Sequence, residues 1–362
     1  MAGSVSCGIR RRGKTYTQKV RVEFLHSGCT KANLALSGKG EDGGWARGRT
    51  NNVVGDGSSG KTICMLEVLF QAFKNLKKIK SKLYPKVKKL TMVYNNAEGA
   101  MDFPLEEMYG EDFVCAVEWV CIKSIEKTCR DFTRRMRSLK KGEALIYVID
   151  SWDAIDSFES AKRFDESIDT DKEMKGSYDT EKQKFASKFF SKVSGPMESN
   201  SVDASLFIVS QVRTKIGTTF GKKTYRAGGK ALDFYTHLVA WIREIEKMKK
   251  KKLGELRVYG IKSEIKVERS KVAKPFRIGE LRILYDYGID DISGMADYIF
   301  GPKTSTKSPI KFSGKKFVNR EQFVKFVERK GYEKKLIHMA TEKWNKVEQE
   351  FKKEVEKRKS RY

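Results

Sequence analysis

The sequence predicts an α/β fold: a nucleotide-binding core with a mainly parallel central sheet flanked by helices, and a small helical unit after it. Three observations carry this expectation. Gly55-Asp56-Gly57-Ser58-Ser59-Gly60-Lys61-Thr62 completes the pattern G-x-x-x-x-G-K-[ST]. It follows the short apolar run Asn52-Val53-Val54, and after it Ile63, Met65, Leu66, Val68, Leu69, Ala72, Phe73 and Leu76 repeat at helical spacing. Two further apolar runs, Ala144 to Ile149 and Leu206 to Val209, read as strands buried on both faces, as parallel sheets require.

The loop chemistry is specific. Gly55, Gly57 and Gly60 let successive backbone N–H groups point into one concavity at the positive end of a helix, which favours an anion. Lys61 adds a full charge, and Thr62 offers the hydroxyl that Mg²⁺ takes together with phosphate oxygens. Gly55, Asp56, Gly57, Ser58, Ser59, Gly60, Lys61, Thr62 and Ile63 are therefore the candidate set for holding a triphosphate.

Composition narrows the partners. The 362 residues carry a net charge of +27, which points to a polyanion, nucleic acid first, against the plainer reading of a lysine-rich surface. No stretch of eighteen apolar residues occurs and the first residues lack a signal-peptide core, so a soluble, intracellular protein is expected. Six scattered cysteines and three isolated histidines argue against a zinc site or a disulfide framework, and buried, reduced thiols are expected.

In chain order, residues 1–30 read as a loosely held basic arm with a short alternation at Val20, Val22 and Phe24. After the loop helix and a lysine-rich connection, Lys89 to Tyr94 predicts a strand ending at Glu98. Functional groups gather at the carboxyl ends of parallel strands, so Glu98 is the candidate general base. Val114 to Leu139 reads as helical, and Ala144 to Ser151 as a central strand that delivers Asp150 to the metal side of the phosphates. Asp153 to Glu181 is acid-rich and predicts an exposed, mobile loop. A helix through Phe185, Phe189, Phe190 and Val193 should end near Gly195-Pro196, and the strand Ser205 to Ser210 presents Gln211 to the terminal phosphate.

The segment from Arg213 to Gly229 mixes cations with Ile216, Phe220 and Tyr225 in a glycine-rich frame, which suits a loop that binds single strands or an ordinary basic hairpin. Leu232 to Ile245 looks helical and then strand-like; Arg257 to Gly260, Glu264 to Arg269 and Leu281 to Tyr285 look like antiparallel edge strands. The core is expected over 31–300, a linker over 301–309 and a small basic helical unit over 310–362. There Asn319 caps one helix that Gly331 ends, and Leu336, Ile337, Ala340, Trp344, Val347, Phe351 and Val355 form the buried stripe of a second.

From about Leu34 to Phe300 these residues carry a likeness. The loop itself, Asn96-Ala97-Glu98-Gly99-Ala100-Met101-Asp102, Val148-Ile149-Asp150-Ser151, Gln211-Val212-Arg213-Thr214-Lys215-Ile216-Gly217, Gly228-Gly229-Lys230-Ala231-Leu232-Asp233-Phe234-Tyr235 and Glu268 to Phe276 resemble the RecA-type recombinases of bacteria and their phages. The resemblance implies a RecA-like ATPase core using ATP and Mg²⁺. Glu98, Gln211 and Lys61 would be catalytic, Thr62 and Asp150 would serve the metal, and Asp102 would lie near the adenine. Arg213, Lys215, Ile216, Gly217, Phe220, Arg226, Gly228 and Gly229 would meet DNA, with Ile216 as a wedge between bases. Arg269 and Lys271 would reach the ATP of a neighbouring subunit, with Phe234 in that interface.

The chain departs from the pattern at Gly99, where His is commoner, in an acidic first DNA loop, and in its short arm and basic tail; a divergent bacterial or phage-encoded member is expected. The implied activity is a DNA-dependent ATPase that forms helical filaments on single-stranded DNA and pairs it with double-stranded DNA, in a bacterial or host cytoplasm. The alternatives are a ring-forming helicase or repair ATPase of the same fold, and a DNA-coating protein that does not hydrolyse ATP.

Overall fold

The computed structural model describes residues 22–99, 101–170, 179–214, 224–226 and 229–356. Its first half runs β1 (Phe24–Leu25), α1 (Thr30–Ser37), β2 (Trp45–Ala46), β3 (Thr50–Gly55), α2 (Lys61–Asn75), β4 (Lys89–Asn96), α3 (Leu105–Tyr109), α4 (Glu111–Ala116), β5 (Val117–Val120), α5 (Ile125–Ser138) and β6 (Glu143–Asp150). After a helical turn at Trp152–Ala154 come α6 (Phe158–Thr170), α7 (Asp179–Glu198), β7 (Ala204–Thr214), β8 (Thr224–Arg226), α8 (Gly229–Tyr235), β9 (Leu238–Lys252), β10 (Glu255–Ser270), β11 (Ile278–Leu284), β12 (Gly288–Ile289) and α9 (Asp291–Phe300). The last segment holds β13 (Ile310–Phe312), β14 (Lys315–Phe317), α10 (Arg320–Lys330) and α11 (Glu333–Glu356).

One large sheet has the order β12-β11-β10-β9-β3-β7-β6-β4-β5, with β8 paired to β7. From β5 to β9 neighbouring strands are parallel; from β9 outward they are antiparallel. Side chains alternate between the two faces. Ala144, Ile146 and Val148 of β6 join the core beneath α2, whereas Leu145, Tyr147 and Ile149 join the core beneath α5 and α7. The fold is thus α/β, with helices on both faces of a central sheet. Parallel register aligns the strand ends: Asn96 stands opposite Asp150, and Gly55 opposite Gln211. All four mark one edge of the sheet.

Several expectations needed correction. The predicted helix over Val114 to Leu139 is broken by β5, because Val117-Glu118-Trp119-Val120 finds an open edge beside β4. A new helix starts where Ser124 accepts from the Lys127 N–H. The acid-rich segment is not simply a loop. Its described part includes α6, whose acids pair along the helix, Glu159 with Arg163 and Glu166 with Lys162, each four residues apart. α7 continues through Pro196 to Glu198. The edge strands are longer than periodicity suggested, since β9 and β10 pair from Leu238–Ser270 out to Lys252–Glu255, and so place a lysine-rich stretch in a ribbon.

The C-terminal segment opens with the hairpin β13–β14 before its helices, around a separate cluster centred on Phe312, Phe323 and Leu336. Asn319 caps α10 and Gly331, at φ +63°, ends it. In α11 the apolar stripe is buried only at Leu336 and Ala340; Trp344 packs against the main core, and Val347, Phe351 and Val355 are exposed as the helix overhangs. Cys29, Cys64 and Cys129 are buried, but Cys115 and Cys121 are exposed. No helix among the described residues is long and apolar enough to cross a membrane.

On α2, Glu67 is buried beneath the turn at Gly28, where a Cβ would stand 1.9 Å from the Glu67 Cγ. Burial raises its carboxyl from an ordinary 4.5 to about 7. The folded state therefore holds the proton more tightly than the unfolded one. This contribution is complete below the unfolded pKa and is lost as pH rises through the folded one. Glu67→Gln keeps the acceptor for the Gln71 amide at 2.9 Å. In urea unfolding it should match the parent near pH 4 and exceed its stability by about 3 kcal/mol near pH 8. A difference that does not grow with pH refutes the assignment.

Candidate nucleotide-binding site

Backbone shape builds the loop between β3 and α2. Gly60 sits at φ +93°, a conformation that favours glycine, and a Cβ there would come within 2.3 Å of the Ile283 Cδ1, so the end of that side chain would have to shift. The Ser59 hydroxyl donates to the Asp56 carbonyl at 2.8 Å, and the Ser263 hydroxyl donates to the Ser59 carbonyl at 2.8 Å, tying the loop to β10. The Lys61 ammonium lies across the loop, donating to the Asp56 carbonyl at 2.5 Å. Burial lowers its pKa, while Asp150, Glu98, Asp56 and Asp153 oppose that shift. A partly dehydrated cation beside free helix N–H groups is a binding place for an anion.

Asp150 ends β6 beside this loop. Its Oδ2 accepts from the Thr62 hydroxyl at 2.9 Å and from the Tyr94 hydroxyl at 2.5 Å. Burial pushes the Asp150 carboxyl up, and these two donors pull it back. A hydroxyl and a carboxylate make an oxygen set that fits a hard cation such as Mg²⁺.

Glu98, just past β4, is held from two sides. The Ser151 hydroxyl and the Gln211 side-chain amide, the latter at 2.9 Å, both donate to Glu98 Oε1. The Ala97 N–H donates to the Asp150 carbonyl at 2.8 Å, which fixes the turn that carries Glu98. Gln211 is tied in turn: its N–H donates to Asp153 Oδ2 at 2.7 Å. The other Asp153 oxygen lies 3.8 Å from the Arg213 Nη2 and makes no hydrogen bond among the described residues. One continuous set of contacts therefore runs from Glu98 through Gln211 and Asp153 to the exposed guanidinium of Arg213.

A cleft of about 550 Å³ opens beside the loop, lined by Lys61, Ile63, Phe103, Met108, Ile283 and Tyr285 among others. Asp102 is exposed next to Phe103. Arg269 and Lys271 sit elsewhere: they donate to the Asp233 and Phe234 carbonyls at the end of α8, where Phe234 is 68% exposed. Burial, then Arg269, lowers the Lys271 pKa. Arg226, expected to face DNA, turns inward instead, donating to the Asn52 side chain and pairing with Asp233. Gly229 begins α8. Lys215, Ile216, Gly217, Phe220 and Gly228 lie outside the described residues.

Sequence reasoning assigned no role to Tyr94, Ser151, Asp153 or Ser263. Tyr94 and Ser151 stood inside quoted strand motifs, where the parallel register with Asp150 was the available signal. Asp153 and Ser263 act through a loop path and a cross-sheet contact, which periodicity does not carry.

The family model described as the RecA N-terminal domain matches residues 139–290. The protein RecA of Gloeothece citriformis is 28% identical over 281 residues, covering 77% of this chain and 68% of that protein. Protein RecA of Rippkaea orientalis is 29% identical over 282 residues, 77% of this chain and 70% of that protein. Protein RecA of Lactobacillus delbrueckii subsp. bulgaricus is 26% identical over 286 residues, 79% of this chain and 77% of that protein.

Asp153 accepts from the Gln211 N–H, and a hydrogen bond to a charged acceptor contributes roughly 1.5 kcal/mol or more. In Asp153→Ala, hydrogen exchange at the Gln211 amide should speed up by about tenfold or more, with strand amides of β6 unchanged. Equal protection in both proteins counts against the tie.

Proposed function

Because the chain is a divergent RecA-type protein, we propose that it is an ATP-dependent recombinase, assembling as a helical filament on single-stranded DNA and exchanging strands with a homologous duplex. The observation that carries this reading is the hydrogen bond from the Gln211 amide to Glu98, since it joins the candidate base to the segment that leads into Arg213.

Loop N–H groups and Lys61 hold the triphosphate, and Phe103, Met108 and Ile283 offer an apolar wall to the base. Thr62 and Asp150 would hold Mg²⁺, which would supply positive charge to the phosphate oxygens. Glu98 orients the attacking water and accepts its proton, and Ser151 and Gln211 fix the carboxylate oxygen that does so. On this reading the Gln211 amide would exchange Glu98 for the terminal phosphate, and that change of partner would free Glu98.

DNA enters this arrangement through Arg213. A phosphate that draws its guanidinium away from Asp153 changes the charge next to the Gln211 N–H, and with it the placement of the side chain on Glu98. Lys215, Ile216, Gly217, Phe220, Gly228 and Gly229 belong to the same DNA-facing stretch on sequence grounds. Arg269, Lys271 and the exposed ring of Phe234 form a cationic and apolar patch suited to a neighbouring subunit and its ATP.

Single-stranded DNA should raise ATP turnover of the parent protein, and Glu98→Gln should lower kcat by about 10²–10⁴-fold while leaving nucleotide affinity nearly unchanged. Steady-state hydrolysis with and without DNA, alongside fluorescent-nucleotide binding, measures both. Turnover indifferent to DNA, or unaffected by the substitution, defeats the reading.

A further inference from the structure

Away from the nucleotide site, a groove of about 690 Å³ runs between α5 and α7 on the helix layer that covers the opposite face of the sheet from α2. Its walls carry five exposed cations: Arg130, Arg134 and Arg137 on α5, and Lys188 and Lys192 on α7. Among the described residues, no carboxylate lines it.

The acids of both helices whose side chains are described are engaged elsewhere. Asp131 accepts from Arg135 and from the Tyr147 hydroxyl; Glu126 accepts from Ser124; Glu181 pairs with Arg163; and Glu198 bonds to His237. Arg135, on the neighbouring stripe of α5, has two carboxylate partners, whereas none of the five groove cations has an ion pair among the described residues. Cations gathered in a concave site without counter-charge focus a positive potential there.

Spacing identifies the kind of anion. Arg130 and Arg134, like Lys188 and Lys192, are four residues apart, about 6 Å along each helix axis, and the α5 row spans about 10 Å. A single bound phosphate cannot meet such a row, but a nucleic-acid backbone with a charge about every 3.4 Å can meet each member. Three of the five are arginines, whose forked donors match phosphate oxygens. The half-buried ring of Phe185 gives the groove an apolar floor on which a base can rest.

We propose that the α5–α7 groove is a separate track for the phosphate backbone of single-stranded nucleic acid, distinct from the segment that follows Gln211. It does not depend on nucleotide turnover, so it is tested without ATP. The probe is a short oligothymidylate carrying 4-thiothymidine, bound to the full chain.

In Arg130→Gln/Arg134→Gln/Lys188→Gln, the plot of log affinity against log salt should be shallower by about 2, from roughly 0.7 per lost single-strand phosphate contact. In the parent, photocrosslinks should map to α5 and α7 peptides. An unchanged slope with crosslinks confined to other peptides overturns the proposal, as does an acidic polypeptide that binds the groove while the oligonucleotide leaves it uncrosslinked. DNA-independent ATP turnover of the triple variant should equal that of the parent, which separates this outcome from failure of the Glu98 assignment. All three side chains are exposed, and a parental circular dichroism spectrum excludes misfolding as the cause.

Discussion

Parallel register is the constraint from which the site follows. β3, β4, β6 and β7 run the same way, and their pairing brings Gly55, Asn96, Asp150 and Gln211 to one edge of the sheet. A slip of one residue in any of them would invert every side chain on that strand. The apolar alternation of β6, with Val148 to one core and Ile149 to the other, forbids that slip. Core packing thus fixes the height at which Asp150 meets Thr62, and Glu98 meets Ser151 and Gln211. The polar contacts are a consequence of the hydrophobic register more than its cause.

Within that frame, the charges compensate one another at short range. Lys61, Asp150 and Asp153 are all partly desolvated, and burial shifts each toward its neutral form. What holds them near their charged forms is local: the Thr62 and Tyr94 hydroxyls on Asp150, the Gln211 N–H on Asp153, and the opposite charges around Lys61. A polyanion entering this set changes the balance for several groups at once. On the proposed reading, that is how DNA near Arg213 is felt at Glu98.

Much of this was legible in the sequence, for identifiable reasons. The phosphate loop, the strands ending at Asp150 and Gln211 and the placement of Glu98 all announce themselves through continuous apolar runs and a glycine pattern that leaves little choice. β5 was hidden because four residues beside helical neighbours carry no periodicity of their own, and an unpaired edge on β4 decided the matter. α6 was hidden because its acids suggested exposure, while the arginine and lysine four residues away make them helix-compatible. The inward turn of Arg226 could not be read at all: it depends on Asn52, 174 residues away in sequence, being buried in β3 with its oxygen facing β8. Side chains that act across the sheet leave no local trace.

The excess of positive charge also acquires a structure. Some cations are internal parts of the fold: Arg47 is 2% exposed and meets Asp203 through both Nε and an Nη2, and Arg226 is held by Asn52 and Asp233. Others are neutralised at the surface, as Arg277 and Lys274 are by Glu348 of α11, which fastens the C-terminal segment to the main core. Such pairs remove charge from what an approaching polyanion meets. The cations of the α5–α7 groove are of a third kind, exposed and without an ion pair among the described residues, and they stand in two rows. A lysine-rich composition that merely solvates a surface has no reason to exclude acids from a concave site while placing them one helix face away. Net charge alone therefore says little about where a polyanion binds, and the distribution of pairing says a good deal more.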